Sequence, residues 1–276
     1  MNRRRINLAP QASRALVYLL AVLMVLWVLF PIYLIGVAAF SPRQAIYDWP
    51  KAILPKTWSL DTMLFFLNSY GVLTSTRNSV LVALITLVIS LALGAPAGYA
   101  LARFPFRGRD TFRIVILSTR AFPIVILSIP LAVSFIQWGM YDSLLSVALM
   151  HTALALPFTI LVTSSVFAGV PYDLEEAAMT LGCNRLQAFL RVALPVALPG
   201  LAAAAIFTFV LSWNEVFAAV ILTLRNRTLP AQVLTVLDES PVPFRFAGGF
   251  FMLAPALVFI FIIQRYLFNL WGRVAK

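Results

Sequence analysis

Charge is scarce in these 276 residues: Asp, Glu, Lys and Arg together make up 11%, against roughly a quarter in a soluble domain. The shortfall is uneven, with the charges gathered between long apolar runs, and 62% of the chain is hydrophobic. That excludes an ordinary water-soluble globule. It points to helices in lipid, where each segment must satisfy its own backbone donors and acceptors. Cysteine is limited to Cys183, so no internal disulfide can staple the fold. The only histidine, His151, has no second ligating residue nearby; it is read as a satisfied histidine of the bundle and no metal site is assigned. The only lysines are Lys51, Lys56 and Lys276, and none follows a glycine, so the chain has no phosphate-cradling loop of its own. No Gly-x-Ser-x nucleophile segment accompanies a late-span histidine either, so no catalytic residue is assigned. No internal repeat or low-complexity tract divides the chain, which reads as one domain, 1–276.

Six apolar stretches suffice to cross a bilayer at about 20 residues per helix: 15–40, 79–102, 114–138, 144–167, 198–222 and 246–271. The expected fold is therefore all-α, a polytopic membrane bundle of six transmembrane helices. Pro31, Pro123, Pro130 and Pro157 fall inside these stretches and should kink or locally unwind them. The basic start Met1-Asn-Arg-Arg-Arg5 precedes a run too long for a signal-peptide core, so it is read as an uncleaved first span. Net charge is +11. Thirteen basic residues lie in the termini and in the loops near Arg103–Arg113 and Arg185–Arg191, against seven in the alternate loops. That bias places both termini in the cytoplasm. It explains the excess without nucleic acid, because no loop alternates basic with aromatic residues. Arg120 sits near a span end and is read as snorkelling to the inner headgroups. The segment 41–78, with Tyr47, Trp49, Pro50, Pro55 and Trp58, reads as a folded cap at the outer headgroup level.

The most informative stretch is the inner loop at about 169–197. Pro171 suits a first helical position, and Asp173, Glu175 and Glu176 suit the positive end of a helix; Gly182 suits its stop. Leu174, Ala177, Ala178 and Leu181 form one apolar stripe at helical spacing. Leu186, Phe189, Leu190 and Ala193 form another, behind Asn184 as a cap and ending at Pro195. Apolar stripes on helices that do not span must bury against lipid, against the bundle, or in a groove of a soluble partner.

The run Glu176-Ala-Ala-x-x-x-Gly182, followed after nine residues by Val192-Ala-Leu-Pro195, resembles the EAA motif of binding-protein-dependent ABC importer permeases, with Val in place of the usual Ile. The resemblance implies the type I importer fold and assigns Glu176, Ala177, Ala178, Gly182, Leu194 and Pro195 to ATPase coupling. Thr180-Leu181-Gly182-Cys183 stands where the family commonly has Ile-Asp-Gly-Ala, a departure that bears on the polar contacts of the loop, not its shape. Ala97-Gly-Tyr-Ala-Leu-Ala-Arg103 through Arg109, and Leu198-Pro-Gly through Ser212-Trp-Asn-Glu215, resemble the carbohydrate branch, the maltose-type second permeases.

What the resemblance implies is a permease of the cytoplasmic membrane that carries a sugar, polyol or glycerol phosphate by alternating access. Its partners would be a second, different permease chain, two ATP-binding subunits that use ATP and Mg, and an extracytoplasmic solute-binding protein. The chain would bind no cofactor itself. Trp213, Asn214 and Glu215, an aromatic face beside an amide and a carboxylate late in the fifth span, are candidates for the solute path. Two rivals stay open. An ion-coupled secondary carrier would need intramembrane acids, and Glu215 alone is offered. A non-sugar importer of the same family would share the EAA loop but not the two carbohydrate-type segments.

Overall fold

The computed structural model describes residues 9–50, 53–55, 57–236 and 240–274. In chain order the helices are α1 (Ala9–Ala39), α2 (Asp61–Leu67), α3 (Val72–Arg103), α4 (Arg109–Ser118), α5 (Ile124–Gln137), α6 (Leu144–Ala168), α7 (Asp173–Thr180), α8 (Arg185–Ala188), α9 (Leu194–Asn214), α10 (Phe217–Leu222), α11 (Leu229–Val236), α12 (Val242–Phe251) and α13 (Leu253–Val274). No strand occurs among the described residues. The chain divides into two compact units, Met1–Ser69 with Ser240–Phe251, and Tyr70–Glu239 with Met252–Lys276.

In the first unit, α1 exposes bulky apolar side chains from Leu16 to Phe30, as a helix facing lipid must. Burial begins near its end, where Gly36 admits the Phe250 ring. Phe66 of α2 is fully buried, 4.9 Å from the Phe244 ring and 5.6 Å from that of Phe251. The expected cap contains α2 and a single 3₁₀ turn, Arg43–Ile46, with Trp49 and Trp58 exposed as headgroup-level aromatics would be.

In the second unit, α3 has 32 residues, about 48 Å at 1.5 Å per residue. It starts two turns before the expected Ser79, because Gly71 (φ +81°) turns the chain into it, and Asn78 and Ser79 direct their polar groups to the Arg227 carbonyl and the Leu229 N–H. Its main partner is α6. A Cβ on Gly98 would fall well inside contact distance of Thr163 Oγ1 and the Ser164 nitrogen, so the two backbones approach as only glycine allows. Thr163 uses its hydroxyl to bridge the seam, donating to the Gly94 carbonyl at 2.9 Å.

Among the described residues five helices are long and apolar enough to cross a membrane: Arg14–Ala39, Val72–Arg103, Leu144–Ala168, Arg185–Asn214 and Val242–Gln264. The expected third span, 114–138, is not one rod. Arg109–Ala121 and Ile124–Gln137 meet at 88°. Pro123 forces Phe122 into an extended conformation (φ −76°, ψ 122°), which breaks the helix there. Pro31, Pro130 and Pro157, by contrast, lie inside continuous helices. The expected fifth span, 198–222, also divides: α9 ends at Asn214 and α10 begins at Phe217.

The ends of the second unit are tied by polar contacts. Asp142 Oδ1 accepts from the N–H groups of Leu224, Arg225 and Asn226 at 2.8 to 3.0 Å, joining the turn after α5 to the turn after α10. Burial works against its charge, but these donors outweigh burial and hold the Asp142 carboxyl below the usual range. At the opposite end Arg113 donates to the Leu101 carbonyl and to Ser164 Oγ. One apolar cluster (Val82, Phe135, Met150, Leu222) lies toward Asp142, and another (Phe167, Phe189, Leu201) toward α7.

Candidate functional site

The loop 169–197 is built as the sequence suggests in its first half. α7 carries Asp173, Glu175 and Glu176 in its first turn, where the helix dipole favours acids. It stops in a Schellman geometry: the Cys183 N–H donates to the Ala178 carbonyl, the Gly182 N–H to that of Met179, and Gly182 takes φ +95°. Asn184 and Gln187 then form a reciprocal capping box. The second half corrects the expectation, because the helix that begins at Arg185 does not end at Pro195. Phe189–Ala193 widens into a π turn and the chain runs on into α9. Pro195 sits in the first turn after the wide one, where its missing N–H and its ring can be accommodated.

The buried face of α7 is also not the expected stripe. Of Leu174, Ala177, Ala178 and Leu181, only Ala178 is buried, and Leu181 is 87% exposed. The deepest residue of α7 is a charged one. Glu175, 1% exposed, receives Arg103 Nη2 at 2.7 Å and Nε at 2.8 Å, and Tyr99 donates its hydroxyl to the other carboxylate oxygen. Arg103 also donates to the Val170 carbonyl at 2.8 Å. Tyr99 packs against Phe189 and Phe167, with ring centroids 4.5 and 5.4 Å away. A buried carboxylate held by a guanidinium, a phenol and an aromatic wall fixes α7 to the end of α3. Its next neighbour, Glu176, faces solvent with Leu174, Ala177 and Leu181. Leu186 and Leu190 are exposed too, while Phe189 and Ala193 are buried; Leu194 is half-buried and Pro195 exposed. Tyr99 and Arg103 stood in the segment closing the second span. Their i, i+4 spacing on one helix face, opposite an acidic loop, was the signal that could have identified the clamp.

The Trp213–Glu215 segment lies at the second break. Trp213 is buried, its indole N–H donating to the Met252 carbonyl at 2.9 Å, and Asn214 is exposed. Glu215 caps α10, accepting from the Ala218 and Ala219 N–H groups at 3.1 to 3.3 Å. It also meets His151 Nε2 at 3.0 Å, and His151 Nδ1 lies 2.8 Å from Ser212 Oγ. His151 is thus a fully buried and fully partnered histidine. Glu215 lines a cavity of about 450 Å³, along with Thr119, Arg120, Phe122 and Pro123 from the first break. Arg120 is exposed and sits just before the first break. The break at Pro123 turns its guanidinium over the stacked rings of Phe158 and Phe207, 5.3 and 5.8 Å from their centroids. Phe158 lies near the middle of the 25-residue α6.

A helical bundle with helices suited to a bilayer, two helix breaks bordering a cavity, and a short helix clamped to the end of α3 suits a transport-type membrane protein. Residues 90–271 match the binding-protein-dependent transport system inner membrane component family. The chain is 32% identical over 249 residues, 88% of its own length and 90% of the other, to the trehalose transport system permease protein SugB of Mycobacterium tuberculosis (strain CDC 1551 / Oshkosh). It is 28% identical to the diacetylchitobiose uptake system permease protein DasC of Streptomyces coelicolor (strain ATCC BAA-471 / A3(2) / M145), over 93% of this chain and 95% of that one. Its fold resembles a chain of a bacterial ABC transporter involved in the import of the acidic polysaccharide alginate, with a TM-score of 0.73, 22% identity, and coverage of 96% and 99%. The protein belongs to the family of binding-protein-dependent transport inner membrane components. It is a multi-pass membrane permease.

Proposed function

We propose that this chain is the permease subunit of an ATP-driven importer that moves a sugar or sugar-like solute across the cytoplasmic membrane. The observation that carries the coupling half of this reading is the division of labour on α7: Glu175 is clamped to α3, while Leu174, Glu176, Ala177 and Leu181 are left exposed. A short helix rigidly held on one face and apolar on the other suits a groove in a partner. In this reading Glu176, Ala177, Ala178 and Gly182 shape the helix that enters a cleft of the ATPase, and Leu194 and Pro195 join it to α9. Two ATP-binding subunits use ATP and Mg, and this chain binds neither. A second, different permease chain completes the pathway, and an extracytoplasmic binding protein delivers solute. Both termini lie in the cytoplasm.

The carbohydrate class rests on the relatives, whose names include trehalose and diacetylchitobiose transport. The solute path runs by Trp213, Asn214 and Glu215, with Glu215 lining the cavity and Trp213 tied to the Met252 carbonyl just before α13. The test is reconstitution of the full complex in proteoliposomes with trehalose and diacetylchitobiose as labelled probes. Uptake that needs ATP and the binding protein is expected. Uptake driven by an ion gradient with no ATPase would refute the reading.

A further inference from the structure

We infer that the cavity between the two helix breaks is a solute site in which Arg120 holds the anionic group of an acidic sugar, such as a uronate or a sugar phosphate. This rests on the carbohydrate-permease reading above and narrows its substrate class.

Four observations converge. First, the cavity of about 450 Å³ is bounded by both interruptions of the spans, Thr119–Pro123 and Glu215. Interrupted helices at membrane depth are tolerated where they line a cavity, and transporters place their solutes there. Second, Arg120 is exposed in this chain and its guanidinium lies beside Phe158, near the middle of α6; a cation at that level of a span faces a cavity or a partner. The Glu175 and Asp110 carboxylates pair with Arg103 and Arg113, and that of Glu215 meets His151; among the described residues no carboxylate pairs with Arg120. Third, the other ionisable group of the cavity is already satisfied, since Glu215 is held by His151 and by the Ala218 and Ala219 N–H groups. The charged group of the cavity left without a hydrogen-bonded partner is therefore Arg120. Fourth, the same cavity is lined by Ile124, the first residue of the 14-residue α5, and no side chain caps that N-terminus. An uncapped helix start beside a guanidinium is a site for an anion.

The Arg120 guanidinium lies over the Phe158 and Phe207 rings, and such a group can donate two parallel hydrogen bonds to a carboxylate or phosphate. Leu127, Leu131, Met150 and Leu154 form the apolar wall opposite. Such a wall accepts the C–H face of a sugar ring, so the site suits an anion carried on a ring better than a free ion.

The experiment uses the assembled importer in detergent and reads thermal protection against concentration for three probes: glucuronate, glucose and inorganic phosphate. Glucuronate is expected to protect at lower concentration than either of the others. Arg120→Gln should raise its half-saturating concentration about tenfold or more, the loss of a charge-assisted hydrogen bond, and Arg120→Lys should fall between. Should Arg120→Gln fail to assemble, Leu154→Trp fills the cavity and leaves the guanidinium in place; loss of glucuronate protection supports the site, and full protection overturns it. Equal protection by glucose and glucuronate overturns it, and so does protection by phosphate equal to that by glucuronate, which would mark a headgroup or free-anion site. ATP-dependent trehalose uptake separates the two levels: if it persists while glucuronate shows no preference, only the anion site falls.

Discussion

Glu175 and Glu215 are both acids drawn into the second unit, and each meets a basic side chain from another helix, yet they do different work. Glu175 closes a pair with Arg103 at the end of the bundle, where the guanidinium and the Tyr99 hydroxyl consume both carboxylate oxygens. Nothing is left over, and the result is a rigid joint beneath α7. Glu215 sits inside a divided span. It shares its oxygens between His151 and two backbone N–H groups, and one side of it borders a cavity. One acid locks α7, the helix proposed to couple to the ATPase; the other caps α10 at a gap that borders a cavity. Burial alone does not separate these roles. What separates them is whether the surrounding groups use up the carboxylate or leave space beside it.

Breaking either partner set should reveal the difference. The largest effect is expected from Glu175→Ala, which strands a buried guanidinium and should cost about 3–5 kcal/mol, read as a fall in the unfolding temperature of the solubilised complex. Replacing both members, Arg103→Met with Glu175→Leu, should recover most of that stability without restoring uptake coupled to ATP. Next comes Glu215→Ala, which leaves the start of α10 uncapped and His151 Nε2 unpaired, for about 1–3 kcal/mol by the same measurement. If Glu215→Ala proved the more damaging, the distinction between a carboxylate that anchors a helix and one that borders a cavity would be lost.

A third variant sharpens the contrast at the clamped end. Gly182 has open space around a hypothetical Cβ but a φ of +95°, so Gly182→Val should strain the backbone by about 1–2 kcal/mol without a clash. Membrane insertion should be normal, while solute moved per ATP hydrolysed should drop. The smallest effect is expected at Asp142, whose cap is solvent-accessible and worth about 1 kcal/mol or less. Its pKa is depressed in the fold from 3.8. Its contribution is thus complete above about pH 4 and is lost as pH falls through the folded-state value. The stability gap between wild type and Asp142→Ala should close on acidification and stay constant from pH 5 to 7.

How far the sequence can be read follows the same divide. Helix periodicity and hydropathy placed a stretch at each of the five candidate spans and at the bent pair found among the described residues, since lipid leaves few alternatives. The Gly182 stop and the Asn184 cap were legible because helix ends are local chemistry. The break at Phe122–Pro123 was legible only as one of four expected proline kinks, since Pro31, Pro130 and Pro157 sit in continuous helices and only tertiary packing distinguishes the four. The π turn at Phe189–Ala193 was hidden for the same reason. Glu175 was legible as a helix-start acid but not as the anchor, because its partners Tyr99 and Arg103 are more than seventy residues away. The apolar stripe of α7 was legible as a pattern, but the pattern could not say that Leu174 and Leu181 would be left uncovered.

The most direct test of coupling through α7 is site-directed crosslinking. Cys183 is the only cysteine, so a Cys183→Ser background carrying Glu176→Cys offers a single thiol on the exposed face of α7. In the assembled complex this thiol should crosslink to a cysteine placed in the cleft of the ATP-binding subunit, at a yield that changes with ATP. Labelling of the same thiol from the outer face of the membrane, or no crosslink in any nucleotide state, would contradict the coupling role of α7.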